Sequence, residues 1–274
     1  SSIKASYTQN YQYIHQVSLS SISLPTDLWF PSTSIVKPQY AAQYSVGYFQ
    51  NFKENMFETS VELYYKEMDN LLEYKEGVSP VDDVNNNPDN NYTFGKGWSY
   101  GGELFIKKSS GKLTGWIGYT LSLTERQFPE INFGKKFYAK YDRRHDVSIV
   151  ATYNISKRLT ASAVWVYATG NTMTIPIGRY FISGNIVTEY SDKNAYRLPP
   201  YHRMDVSVTY LLNKNNRFES ELNFSVYNLY NQMNPFFIYL ETTGDLQNFD
   251  IQTKAKQMSL FPILPSISWN FKIK

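Results

Sequence analysis

Histidine is the side chain best placed to move protons near neutral pH, and the chain holds three: His15, His145 and His202. His145 lies beside Asp142 and Asp146, and His202 lies near Asp205. A general base needs a carboxylate or a nucleophile within hydrogen-bond reach, so spacing alone makes both pairs catalytic candidates. The competing reading makes both histidines rim residues, placed where a loop enters a descending strand and paired with neighbouring arginines. We adopt that reading and expect no enzyme. Asp82-Asp83, Asn85-Asn86-Asn87 and Asp89 form a loose oxygen cluster. It lacks the spaced ligands and terminal Glu of a calcium loop and reads as a polar surface loop, with no metal and no cofactor. The absence of cysteine excludes disulfides and thiolate metal sites.

Aromatic side chains are the better candidates for touching a ligand. Tyrosine (24), phenylalanine (17) and tryptophan (5) together make 17% of the chain. Such rings collect where one end must be dry and the other wet, as at protein interfaces, carbohydrate sites and membrane–water boundaries. Trp29 and Phe30, Tyr180 and Phe181, and Phe236 and Phe237 fall in long connections, where stacking on a ligand competes with packing between loops. A net charge of +3 is too mild for a nucleic-acid partner, and no run of Lys or Arg exceeds two residues.

Period-two alternation recurs from end to end and indicates an all-β chain. Leu113, Ile117, Tyr119 and Leu121 share one face, with Thr114, Trp116, Thr120 and Ser122 on the other. About ten strands are expected, near 2–16, 39–51, 56–74, 93–108, 112–126, 142–155, 159–170, 201–212, 217–230 and 257–274. Short polar turns at 51–55, 109–112, 156–158 and 213–217 alternate with long loops at 18–38, 75–91, 127–141, 171–200 and 231–255. One face is consistently apolar: Val61, Leu63, Tyr65, Leu104, Ile106, Leu222 and Phe224. The other carries Glu58, Glu62, Lys66, Glu103, Lys107, Arg203, Glu219 and Glu221. Alternation fits a soluble sandwich and a membrane barrel equally. Long strands, with short turns at one end and long loops at the other, favour the barrel. No run approaches the roughly 18 apolar residues of a membrane helix, and barrels lack such runs too.

Ordered motifs carry a resemblance. They are Lys37-Pro38-Gln39-Tyr40 leading to Gln43–Tyr48, Tyr141-Asp142-Arg143-Arg144-His145-Asp146, and Leu198-Pro199-Pro200-Tyr201-His202-Arg203-Met204-Asp205. Asn223–Asn231 with Asn234-Pro235 follows, then Leu260–Phe271. In this order they resemble TonB-dependent receptors. The resemblance implies an antiparallel barrel of about 22 strands around an N-terminal plug, with this chain supplying about ten C-terminal strands over residues 1–274. Neither plug nor signal peptide is placed here, and Ser1 reads as a processing product or a fragment start. The family implies active uptake of a scarce nutrient (siderophore, cobalamin, glycan or peptide) across the Gram-negative outer membrane. Its partners would be the rest of the barrel, the plug, the TonB complex acting through that plug, surrounding lipid, and a possible surface lipoprotein lid. Long loops would be extracellular and the C-terminus periplasmic. Glu58, Glu62, Lys66, Glu103, Lys107, Arg203, Glu219 and Glu221 would line the lumen against the plug. Trp269, Phe271 and Ile273 look like the barrel-assembly signal, although the chain closes on Lys274. The alternative is a self-contained ten-stranded barrel, similar to omptin-type surface proteases in strand count, acting as protease or adhesin.

Overall fold

A computed structural model of the chain describes residues 1–17, 28–75, 88–182, 185–215, 217–245 and 250–273. Ten long strands form one antiparallel meander in chain order. They are β1 (Ser2–Gln12), β2 (Gln39–Phe52), β3 (Phe57–Tyr74), β4 (Tyr92–Lys108) and β5 (Leu113–Gln127). There follow β6 (His145–Asn154), β7 (Leu159–Ala168), β8 (Tyr201–Lys214), β9 (Phe218–Tyr227) and β10 (Leu264–Ile273). A two-residue strand, Phe137–Tyr138, adds to the end of β5. Among the described residues the path has two ends: β1 pairs only with β2, and β10 only with β9. The sheet of described residues is therefore an open wall, with no pairing between β1 and β10.

Register explains the two faces. Tyr7 pairs with Tyr44, Tyr44 with Tyr65, and Tyr65 with Tyr100, so four tyrosines run in one row across four strands. Their rings meet at 4.9 Å for Tyr7–Tyr44 and 6.4 Å for Tyr65–Tyr100. Val61, Leu63, Leu104, Ile117, Val208, Phe224, Ile267 and Trp269 stay exposed on the same face. An exposed apolar sheet of this extent is untenable in water and natural in lipid. The opposite face is stitched sideways by hydroxyls and amides: Ser6–Ser45 at 2.7 Å, Ser99–Thr124 at 2.9 Å, Asn223 donating to Thr209 at 2.8 Å, and Ser225–Ser266 at 2.7 Å.

The tight turns lie together at one end, and side chains hold them. Ser156 Oγ accepts from the Arg158 and Leu159 amides at 3.2 and 3.1 Å, and Asn215 Oδ1 from those of Arg217 and Phe218 at 3.0 and 2.7 Å. These are the local side-chain bonds that favour turns over continued strand. Lys53, Glu54 and Asn55 turn the chain between β2 and β3 with φ of 48, 55 and 66°.

Strand limits agree with the alternation except at two ends. The first predicted strand stops at Gln12; residues 14–17 instead form a hairpin with 28–31. The last begins at Leu264, because residues 250–259 pair with 235–245 and Phe261, at φ 57° and followed by Pro262, interrupts the ladder. A third hairpin joins 176–182 to 185–190. The long loops thus contain strands of their own.

One bulge shapes the long-loop end. Between Met68 and Leu71 the β3–β4 register shifts, with Asn70 at φ 56° and its amide bonded to Pro38 O at 3.1 Å. One extra residue turns the following side chains to the opposite faces. Leu71 and Glu73 reach the polar side, and Leu72 and Tyr74 the apolar side. Leu72 and Tyr74 join Val36 and Tyr92, with Phe30 and Phe94 packed alongside. Leu71 joins Phe128, Ile131 and Phe137, with Met68 alongside. Each small core fastens one long loop to the extended end of β3–β4.

Candidate functional site

The connection between β5 and β6 folds onto the polar side of β4. Gly95 makes this possible: a Cβ there would lie 2.4 Å from Gln127 O and 2.6 Å from the Phe128 ring. Phe128 and Ile131 are consequently buried. This loop and the one between β7 and β8 form a single platform. Asn132 Oδ1 accepts from the Lys193 amide at 2.7 Å, and Asn194 Nδ2 donates to Tyr138 O at 2.9 Å. Thr172 Oγ1 donates to Ala139 O at 2.8 Å. Arg197 donates to Asp142 O at 2.7 Å and pairs with the Asp142 carboxylate, whose other oxygen accepts from the Thr124 amide at 2.7 Å. Glu73, re-aimed by the bulge, bridges Arg126 at 2.8 Å and Lys193 at 3.3 Å.

Basic side chains crowd this platform. Arg144 and Arg197 both lie over the Tyr138 ring at 5.5 Å, and Lys136 lies over Trp98 at 4.2 Å. At its tip Asn132, Phe133 and Gly134 have φ of 52, 56 and 74°. Phe133 is 94% exposed although its neighbours Ile131 and Asn132 are buried. A left-handed phenylalanine is strained by about 1–2 kcal/mol. Sequence reasoning missed it; the only signal was an aromatic residue in Asn-Phe-Gly, between two turn formers.

The six aromatic candidates sit on three separate hairpins. Trp29 is exposed, while its neighbour Phe30 is committed to packing on Tyr92 at 5.1 Å. Tyr180 is exposed on the hairpin of 176–182 and 185–190, and its hydroxyl donates to Glu189, whose carboxylate pushes the phenol pKa up. Phe236 is exposed on the hairpin of 235–245 and 250–259. The side chains of Phe181 and Phe237 lie outside the described ones, as do residues Asp82, Asp83 and Asn85–Asn87. Asp89 is buried and accepts from Thr33 at 2.7 Å. Among the described residues no group of three metal-capable side chains occurs.

The histidine pairs resolve differently from the expectation. His145 Nδ1 meets the Tyr119 hydroxyl at 2.9 Å and His202 Nδ1 the Tyr230 hydroxyl at 3.0 Å, so tyrosines and not arginines are the partners. Both histidines fall on the apolar face by register, His145 opposite Leu121 and His202 opposite Tyr167. Their sequence-adjacent acids point elsewhere. Asp142 holds Arg197, and Asp205 holds Arg203 at 2.9 Å and the Asn228 amide at 2.9 Å.

All eight charged residues expected on one face do share the polar face. Glu58 pairs with Lys107 at 3.1 Å, and Glu219 with Lys214 at 3.2 Å. Glu62 stands directly opposite Glu103, Lys66 opposite Ser99, and Glu221 accepts from Asn270 at 3.4 Å. Arg203 is gripped by the hydroxyls of Tyr201 at 2.9 Å and Tyr227 at 2.6 Å. Trp269, Phe271 and Ile273 share the apolar face of β10, where Trp269 Nε1 donates to Ser220 at 2.7 Å.

The motif asparagines are structural. Asn228 accepts from the Gln232 amide at 2.9 Å and donates to Gln232 O and Phe261 O at 3.0 and 3.2 Å. Asn231 accepts from the Ile263 amide at 3.0 Å, and Asn234 exchanges two bonds of 2.9 Å with the His202 backbone. They knot the long-loop ends of β8, β9 and β10.

Comparison with known proteins agrees with this wall. The model of the family "TonB dependent receptor-like, beta-barrel" matches residues 1–229. A search of curated protein sequences finds no match. The fold is similar to the ferripyoverdine receptor of the Pseudomonas aeruginosa outer membrane, with TM-score 0.58 and 15% identity over 97% of this chain and 30% of that one. It is similar to the Escherichia coli outer membrane transporter YddB, with TM-score 0.54 and 10% identity over 98% of this chain and 38% of that one. The ferric-catecholate import receptor Fiu of E. coli gives TM-score 0.51 and 15% identity over 85% of this chain and 29% of that one. The chain thus spans about a third of the length of these structures. Matched by the family model over residues 1–229 and folded as an antiparallel wall that is apolar on one face, the chain belongs to the TonB-dependent receptor β-barrel family.

Proposed function

We propose that residues 1–274 form about ten C-terminal strands of a barrel of about 22, and that the whole receptor takes up a scarce nutrient across the outer membrane. The open sheet carries this reading. Among the described residues its edges, β1 and β10, have no further strand beside them, and unpaired backbone in lipid costs several kcal/mol per group. The remaining strands and the plug therefore complete the structure from outside this span. The polar face lines the lumen, where Glu58, Glu62, Lys66, Glu103, Lys107, Arg203, Glu219 and Glu221 meet the plug that TonB pulls. The turn end and the C-terminus face the periplasm, with Trp269, Phe271 and Ile273 read by the assembly machinery.

The long loops face outward, and ligand contact falls to their exposed rings Trp29, Tyr180 and Phe236, with Phe133 added by its geometry. Phe30, packed on Tyr92, anchors the strand that carries Trp29; Phe181 and Phe237 remain candidates by position. Siderophore, cobalamin, glycan and peptide ligands all have faces on which such rings stack, and a lid lipoprotein would use the same surface. The test is transport by the full-length receptor in its host. Uptake of iron-loaded siderophores, labelled cobalamin, fluorescent oligosaccharides and peptides is compared in wild type, receptor-deleted and TonB-deleted cells. Loss of one probe's uptake in both deletions supports the reading; unchanged uptake of all four, with the protein present in the outer membrane, sinks it.

A further inference from the structure

His15 is the one ionisable side chain on the hairpin of residues 14–17 and 28–31. It is fully buried. One ring nitrogen, Nε2, meets Ser32 Oγ at 3.0 Å, and the other, Nδ1, is buried with no hydrogen-bond partner among the described residues. Across the hairpin His15 stands opposite Phe30, which packs on the Val36, Leu72, Tyr74 and Tyr92 cluster. The hairpin is thus seated on the extended end of β3–β4 through a contact that depends on a neutral imidazole.

Charged groups on β3 and in the turn before β4 have partners of their own. On β3, Asp69 pairs with Lys96 at 3.5 Å, and Glu73 with Arg126 and Lys193. Beside β3, Lys75 pairs with Glu130 at 3.9 Å. Asp89, in the turn before β4, accepts from Thr33 at 2.7 Å. Tyr74 and Tyr92 lie together, and burial followed by the Tyr74 hydrogen bond pushes the Tyr92 phenol far up, so it stays neutral. A proton added at Nδ1 would be a buried charge without an acceptor, which a protein relieves by moving the group to water.

We propose that His15 is a proton-operated latch: neutral, it seats the outer hairpin on the β3–β4 extension; protonated, it releases the hairpin, carrying Trp29 away and uncovering the apolar cluster under Phe30. Burial holds the His15 pKa below its ordinary value. The seated form therefore binds fewer protons than the released form, whose imidazole titrates near about 6.5. Seating is complete above that pH and weakens as pH falls below it, about tenfold per unit until the seated histidine itself titrates. This inference does not depend on the identity of the transported ligand.

The test is hydrogen–deuterium exchange on the full-length receptor in detergent, following peptides over 14–17 and 28–31 between about pH 7.5 and 5.5, scaled for intrinsic exchange. Opening of the hairpin is expected to rise about tenfold per unit below about 6.5, while the row of Tyr44, Tyr65 and Tyr100 stays protected. His15→Leu is expected to abolish the pH dependence. Slow exchange of the imidazole C2 hydrogen reports the titration of His15 in the wild-type protein, so the inference stands testable even if the variant fails to fold. A His15 titration at or above about 6.5, or a pH dependence that survives in His15→Leu, overturns it.

Discussion

Asp142 and Arg197, 55 residues apart, form a buried double contact in which the guanidinium bonds both the carboxylate and the carbonyl of the same aspartate. Asp142 is fully buried while Arg197 is half-buried, and the pair closes the base of two loops. Removing one member of such a pair leaves an uncompensated charge, at a cost of about 3–5 kcal/mol. Arg197→Ala is expected to release residues 172–197 while leaving β5 and β7 intact. Limited proteolysis of intact outer membranes would show new cleavage there; an unchanged pattern contradicts the assignment. Arg197→Lys should rescue poorly, because a lysine cannot form the two-pronged contact.

The Asn228 side chain satisfies three backbone groups from two segments. Asn228→Ala leaves those groups unpaired and is expected to cost about 1–3 kcal/mol. The readout is the temperature at which the full-length barrel loses its compact band on unheated gels. Asn228→Gly should do no better, although φ is 54°, because the bonds and not the backbone angle carry the effect.

This is where the sequence was most and least legible. Period-two patterning fixes which residues share a face, and the register obeys it from Tyr7 to Trp269 except where it shifts at Met68/Leu71 and at Leu211/Asn213. The eight charged residues follow for the same reason. The loops obey no period, so pairing across them was hidden. Nothing near His145 announces Tyr119, and nothing near Asp142 announces Arg197, because both partners arrive through tertiary folding. The asparagine motif was visible as a pattern, yet only the bonds to Phe261 and Ile263 reveal it as a knot.

Asn70 illustrates a face switch that composition conceals. Asn tolerates the left-handed conformation that β-branched residues resist. Asn70→Val is expected to cost about 1–2 kcal/mol and to weaken both small cores at once, since Leu71 and Leu72 depend on the same bulge. Hydrogen exchange of 71–74 and 128–137 should rise together. If only one segment loosens, the two cores are not coupled through the bulge.

Gly95 should be equally sensitive for a different reason. Its φ is ordinary, but a methyl group would collide with Gln127 O and the Phe128 ring. Overpacking of this kind costs about 1–3 kcal/mol. Gly95→Ala is expected to lift Phe128 off β4 and expose the loop of 128–137 to protease, while Gly134→Ala acts only through backbone strain. Equal stability of Gly95→Ala and wild type would disprove the close approach.

Phe133 sets stability against use. Its left-handed backbone costs about 1–2 kcal/mol, and its side chain, at 94% exposure, returns almost nothing through packing. Phe133→Asn suits that conformation and removes an exposed ring, so it should stabilise the loop by about 1 kcal/mol, read as slower exchange at 131–135. A residue kept at such a cost without a contact to justify it is expected to touch what the receptor binds. The same variant should therefore weaken uptake of whichever probe the receptor transports, with outer-membrane abundance unchanged. Slower exchange with undiminished uptake would leave Phe133 as strain without a ligand role, and Trp29, Tyr180 and Phe236 would then carry the contact.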